Sequence, residues 1–205
     1  MLANMNIVDF LEKTASSDPV PGGGSISALC AAAAASLTEM VANLTIGRKE
    51  YAAVEEEMET ISNKAFNYRD KLVKDIDKDS DAYKQVLKAF KLPKRTEEEK
   101  SHRKKAVQEG FKNASLVPLS VAKDAFKIME LAENVIKKGN KNAITDGAVA
   151  AMIARTAVLS ALYNVKINLS SIKDVDFVNE VAKEVILMES KIEKKEKDIL
   201  SSIDL

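Results

Sequence analysis

The chain has 205 residues, 30% of them charged and 46% hydrophobic, with 31 basic against 31 acidic side chains. That length supports one domain with a full core, and the balanced charge supplies no global field toward nucleic acid or an anionic membrane. No tryptophan and only 5% aromatic residues leave few platforms for stacking bases, and one cysteine, Cys30, excludes an intrachain disulfide.

Taken in order, the chain reads as helix nearly throughout. The start, "MLANMNIVDFLEK", has no basic segment leading into an apolar run, so it is not a secretory signal. Asn6 to Thr14 makes a short first helix that Asp18-Pro19 ends. A glycine loop follows in "PGGGSISALCAAAAASL", with Ser25 placed to cap a helix reaching about Thr45. Its apolar seam is Ile26, Leu29, Ala33, Leu37, Met40 and Leu44, and Gly47 marks its end. The glycines match neither a Walker A loop nor G-x-G-x-x-G after a strand, so both packing and ligand contact stay open for them. Ile26 to Ile46 holds a single charge, Glu39, yet alanines and polar residues dilute it. This predicts a buried helix rather than a membrane span, and a cytoplasmic protein. Cys30 inside the alanine run reads as a small buried hydrophobe.

From Tyr51 a stripe runs through Val54, Met58, Ile61, Ala65, Tyr68, Leu72, Ile76, Tyr83, Val86 and Phe90, stopping before Pro93. Thr96 and Glu99 form a capping box that opens a charged helix; Pro118 should restart or kink it, and Gly139 should end it. Thr145 or Asp146 can cap a second small-residue helix to about Leu169, and Asp174 starts the last one. Residues 28–35 and 148–161 carry six alanines each, which allows close helix packing. With no strand pattern, residues 1–205 are expected to form one all-α domain, a bundle of five or six long helices with the two Ala-rich helices central. The long stripes call for more partners than one short chain supplies, hence a homodimer.

The segment "DIDKDSDAY" carries Asp75, Asp77, Asp79 and Asp81. Asp79 falls on the apolar stripe between Ile76 and Tyr83, where desolvation would raise its pKa and suit it to proton transfer. Asp77 points about 160° away round the helix. The competing reading has the acidic run breaking the helix or facing solvent, and a calcium loop lacks its Gly and Glu. Arg48 and Lys49 suit either the helix dipole or a substrate carboxylate. His102 alone, without further His or Cys, gives no transition-metal set. Asn140, Asn142, Thr145, Asp146, Asn164 and Asn168 are too polar for a purely apolar bundle, and the last two share a helix face.

Seven segments then stand together: "PGGGSISAL", "MVANLTIGRKEY", "DKDSDAY", "KLPKRTEEEK", "VPLSVA", "GNKNAITD" and "NVKINL". In this order they resemble the formimidoyltetrahydrofolate cyclodeaminase family, which includes clostridial-type methenyltetrahydrofolate cyclohydrolases. The resemblance implies a homodimer with a reduced-folate cleft near its interface, no metal or redox cofactor, and an essential aspartate in D-x-D, here Asp77 or Asp79. The stripe favours Asp79. It further implies that Arg48 and Lys49 meet the folate glutamate tail, while Gly23, Gly24, Ser25, Asn140, Asp146, Asn164 and Asn168 contact the pterin. The expected reaction is closure of 5-formimidoyltetrahydrofolate to 5,10-methenyltetrahydrofolate with release of ammonia, because "GNKNAITD" and "NVKINL" lie nearer the cyclodeaminase pattern. Hydrolysis of 5,10-methenyltetrahydrofolate is the alternative, and a non-catalytic helical dimer scaffold is the second. The mammalian form's transferase domains are missing, which suggests a stand-alone enzyme served by a separate formimidoyltransferase.

Overall fold

A computed structural model describes residues 1–204, and among these there is no strand. Six α-helices follow one another: α1 (Ile7–Ala15), α2 (Gly23–Asn43), α3 (Glu55–Phe90), α4 (Glu97–Lys138), α5 (Ile144–Leu169) and α6 (Val175–Ser201). Short 3-10 turns at Leu2–Asn4, Lys49–Val54 and Lys141–Ala143 join or precede them. Helix α2 packs against α3, α4 and α5, while α6 covers α5.

Local chemistry sets several boundaries. Asn6 caps α1 by accepting from the Asp9 N–H, and Asp174 caps α6 by accepting from the Phe177 N–H. Thr96 and Glu99 make the expected capping box on α4. The acidic run does not break α3, which continues through it for 36 residues. Helix α2 begins three residues earlier than expected, at Gly23, so Ser25 lies within its first turn and does not cap it. Likewise α5 begins at Ile144, so Thr145 and Asp146 sit in its first turn.

Pro118 neither stops nor restarts α4. A proline has no N–H to give the carbonyl four residues back, here that of Ala114. That carbonyl instead accepts from Asn168 Nδ2 at 2.9 Å, so a side chain of α5 replaces the missing bond. The substitution is tertiary, and the sequence around Pro118 alone holds no sign of it.

The alanines of α2 and α5 make the contact surface. Ala28, Ala31, Ala34 and Ala35 of α2, with Ala150, Ala154, Ala157 and Ala161 of α5, are fully buried. Several larger side chains face outward: Leu29, Met40 and, just past its end, Leu44 on α2, and Val149, Met152, Tyr163 and Ile167 on α5. The expected seam therefore holds in part: Ile26 and Leu37 are half-buried against the core and Ala33 is half-buried, while Leu29, Met40 and Leu44 are exposed, because small residues bring the axes close. Both helices are long and apolar enough to cross a membrane, and 56% and 44% of their most apolar windows is buried inside the fold.

The two helices run antiparallel. Ser27 on α2 donates to Ser160 on α5 at 2.8 Å near one end. At the other end the Asn140 N–H donates to Thr45 Oγ1 at 2.9 Å. The bundle therefore has a Gly23 end and an Arg48 end, separated by the length of α2, about 30 Å for 21 residues.

Candidate active site

At the Gly23 end, a cleft of about 360 Å³ opens between the start of α2, the middle of α3 and the end of α5. Its wall includes Gly23, Gly24, Asp79, Tyr83, Asn164 and Asn168. Asp79 is half-buried on α3 and faces the first turn of α2.

Asp79 Oδ2 lies 3.0 Å from Ser25 Oγ, and the same hydroxyl lies 3.0 Å from the Ile76 carbonyl oxygen. One hydroxyl proton thus has two acceptors. With Asp79 ionised, Ser25 donates to the carboxylate; with Asp79 protonated, Ser25 can donate to Ile76 and accept from the carboxyl. Both protonation states are accommodated without moving the backbone. Burial pushes the Asp79 carboxyl above the usual carboxylate range, and the Ser25 hydroxyl and N–H pull part of the way back. The positive end of α2 supports the ionised form in the same sense.

The glycines have a steric reason. A Cβ on Gly24 would stand 2.0 Å from Asp79 Oδ1, and one on Gly23 would stand 3.2 Å from Asn164 Nδ2. Only a backbone without side chain lets α2 approach the carboxylate this closely. Asn164 Nδ2 donates to the Ser160 carbonyl at 2.9 Å, and Asn168 Nδ2 donates to the carbonyls of Ala114 and Asn164. Both Oδ1 acceptors have no protein partner among the described residues, so the wall offers two fixed acceptors to N–H groups of a ligand.

The remaining expected site residues are elsewhere. Asp77 accepts from the N–H groups of Leu2 and Ala3, at 2.6 and 3.2 Å, and so ties the N-terminal turn to α3. It serves as a brace outside the cleft, as its angular position on the helix required. Asn140 is buried; its Nδ2 donates to the Leu44 carbonyl and its Oδ1 accepts from the Asn142 N–H. Arg48, Lys49 and Asp146 share that far end, where Arg48 stands 3.9 Å from Glu50. In one protomer these four residues are about 30 Å from Asp79, given the length of α2. Tyr83, Phe111 and Ile167 line the cleft and were not expected there. Tyr83 had a readable signal, one turn beyond Asp79 on the same stripe.

No group of His, Cys, Asp and Glu among the described residues is arranged to hold a metal ion. His102 is exposed, and burial pushes the Cys30 thiol up. A larger groove of about 460 Å³ between α3 and α4 is lined by Lys71, Asp75 and Lys78. Its charges satisfy one another: buried Asp75 accepts from Lys71 at 2.7 Å and from Lys78 at 2.6 Å, and Lys71 also reaches Asp124. The Asp79 cleft, with its desolvated carboxyl and open acceptors, is the better catalytic candidate.

The sequence profile of the formiminotransferase-cyclodeaminase family matches residues 6–186. The chain belongs to that family. Among relatives of this folate one-carbon cyclodeaminase and cyclohydrolase family, a methenyltetrahydrofolate cyclohydrolase of Methylorubrum extorquens is 40% identical over 185 residues, covering 90% of this chain and 89% of that protein. The formimidoyltransferase-cyclodeaminase of Sus scrofa is 34% identical over 184 residues, 89% of this chain. This chain matches only 34% of that longer protein. A solved structure, the formiminotetrahydrofolate cyclodeaminase of Thermotoga maritima, superposes with a TM-score of 0.86 at 31% identity. The match covers 97% of this chain and 96% of the Thermotoga chain.

Proposed function

We propose that this family member is a cytoplasmic folate one-carbon enzyme in which Asp79 carries protons for bond changes at the carbon held between N5 and N10 of tetrahydrofolate. The observation that carries the reading is the Asp79–Ser25 pair, a desolvated carboxyl whose partner hydroxyl can serve both of its protonation states. Such a group can both take and give a proton.

The leading reading is hydrolysis of 5,10-methenyltetrahydrofolate. Asp79 takes a proton from water as its oxygen bonds to the methenyl carbon. The tetrahedral adduct then breaks its carbon–N5 bond, N5 receives the proton from Asp79, and 10-formyltetrahydrofolate leaves. One further proton goes to solvent as the adduct's hydroxyl becomes the formyl oxygen. Support comes from the Methylorubrum cyclohydrolase, similar across nine-tenths of this chain. Cyclodeamination is the second reading, favoured by the Thermotoga and pig relatives. There N10 bonds to the formimidoyl carbon, Asp79 takes the N10 proton and returns it to the formimidoyl nitrogen, and one further proton from solvent lets that nitrogen leave as ammonia while the methenyl cation forms. The motif "GNKNAITD", part of the case for cyclodeamination, braces the far end of the bundle, away from the Asp79 cleft of the same chain. In both reactions, holding N10, the carbon and the incoming atom together supplies much of the rate. Neither step uses a metal or redox cofactor.

The catalytic unit in this reading is a homodimer. Leu29 and Met40 of α2, Val149, Met152, Tyr163 and Ile167 of α5, and Ile7, Val8 and Leu11 of α1 are exposed apolar side chains. A second copy across α2 and α5 would cover these side chains, which water otherwise meets at a cost of about 25 cal/mol per Å². Gel filtration with light scattering reads the assembly, and Leu29→Glu/Met152→Glu should give monomers. One preparation tests the activities: fast loss of the methenyl absorbance supports hydrolysis, and growth of that absorbance with ammonia from 5-formimidoyltetrahydrofolate supports cyclodeamination. A protein inert to both substrates contradicts the proposal.

A further inference from the structure

The segment "VPLSVA", residues 117–122 of α4, has no role so far beyond packing. Leu119, Val121 and Ala122 enter the core, and Pro118 is buried with them. Packing alone does not call for that proline. Alanine or leucine would fill a buried helix position and keep the backbone bond, whereas proline is the costliest residue a helix interior can hold. The open Ala114 carbonyl that Pro118 leaves behind is where a use must lie.

Asn168 uses it. Its Nδ2 carries two hydrogens: one goes to the Asn164 carbonyl on its own helix at 2.8 Å, and the other crosses to Ala114 on α4 at 2.9 Å. Both partners are carbonyl oxygens, which only accept, so the amide nitrogen must face them and Oδ1 must face away. Asn168 and Ala114 both line the Asp79 cleft, and Asn168 Oδ1 has no protein partner among the described residues. The direction of this acceptor is therefore set from outside α5. Asn164 differs, because its Nδ2 bonds within α5, to the Ser160 carbonyl, and needs nothing from α4.

Any residue with an N–H at position 118 would change this arrangement. That N–H would take the Ala114 carbonyl in the ordinary helix bond and draw it along the axis, whereas the proline ring pushes the carbonyl off the axis. Asn168 would keep only its bond to Asn164. Its second N–H would then need a new partner, and the amide could turn its nitrogen into the cleft. A donor would stand where a substrate N–H needs an acceptor.

We infer that Pro118 is a positioning residue of the active site: by lacking an N–H it leaves the Ala114 carbonyl to Asn168, and so holds Asn168 Oδ1 as an acceptor toward substrate N–H groups. The use of that acceptor rests on the folate reading above; the link between Pro118 and Asn168 does not.

The test is a double-mutant cycle on the full chain, with Pro118→Ala, Asn168→Ala and the two combined. Asn168→Ala strands the Ala114 carbonyl and should lower the melting temperature. Adding Pro118→Ala supplies an N–H to that carbonyl and should recover most of the loss. On the substrate that wild type turns over, Pro118→Ala should raise KM about tenfold, the scale of one ligand hydrogen bond, with kcat within about threefold. In the Asn168→Ala background the same substitution should add nothing to KM. Pro118→Val restores the same N–H and fills more of the buried volume, so it should repeat the result. Failure of both Pro118 variants to fold overturns the inference, as does a folded Pro118→Ala protein with wild-type KM. Additive effects of the two substitutions, on melting or on KM, overturn it as well. If wild type turns over neither 5,10-methenyltetrahydrofolate nor 5-formimidoyltetrahydrofolate, the folate reading fails, and the melting cycle still decides the link between Pro118 and Asn168.

Discussion

Gly24→Ala adds one methyl group where Asp79 already stands. The new Cβ would lie 2.0 Å from Oδ1, 2.4 Å from Cγ and 2.6 Å from Oδ2. Ordinary contact begins at 3.4 Å, so the carboxylate must retreat by about 1.4 Å or α2 must shift as a unit. The carboxylate is the end of a side chain, whereas α2 is locked by fully buried alanines along its length, so Asp79 moves. Its hydrogen bond to Ser25 is then lost, and the proton carrier leaves its place beside the substrate. A misplacement near 1 Å costs on the order of 100-fold in rate. The fold should suffer little, because alanine is favoured over glycine in a helix by about 0.5–1 kcal/mol. Steady-state kinetics by methenyl absorbance, paired with a thermal melt, reads both quantities. A Gly24→Ala protein with kcat within about threefold of wild type would refute the steric account of this site.

Ser25→Ala removes a donor that favours ionised Asp79, so the carboxyl moves further above its usual range. The limb of the pH–rate profile that requires the ionised base should shift to higher pH; an unmoved limb would mean the hydroxyl is only packing. Asp77→Asn weakens the tie to Leu2 and Ala3 and should cost about 1–2 kcal/mol in denaturant melts while kcat stays within about twofold. A hundredfold loss of kcat there would restore Asp77 to the chemistry. Asp79 itself should weaken the fold when charged. Because burial raises its folded pKa above the unfolded value, its favourable contribution is complete below the unfolded pKa and is lost as pH rises through the folded one. Asp79→Asn should therefore melt above wild type at neutral pH, with the gain vanishing in acid; an equal or lower melting temperature at neutral pH contradicts the desolvation argument.

The helices were legible because their signals are local. The capping box at Thr96 and Glu99, the Asp174 cap and the stripe from Met58 to Val86 each lie within a few turns of chain. Asp79 was legible for the same reason, as a charge on an apolar stripe. What escaped the sequence depends on pairs distant along it. Asn168 completes the backbone bond that Pro118 cannot make, and Ser25 meets Asp79 across 54 residues. Alanine in α2 marked packing, but which face packs is set by α5, so Leu29, Met40 and Leu44 of the expected seam are exposed while Ile26 and Leu37 pack against the core. Composition could not divide the polar residues either: Asn140 and Asn164 are alike as residue types, and only the antiparallel pairing of α2 and α5 sends them to opposite ends.

The central claim is that Asp79 carries the proton, and Asp79→Asn tests it most directly because the amide preserves shape and removes acid–base capacity. Wild type, Asp79→Asn and Asp77→Asn should be assayed side by side on 5,10-methenyltetrahydrofolate and on 5-formimidoyltetrahydrofolate. The account predicts that Asp79→Asn stays folded and loses turnover of the substrate wild type uses, by about 100-fold or more, while Asp77→Asn keeps it. A folded Asp79→Asn protein with near wild-type turnover would contradict the account.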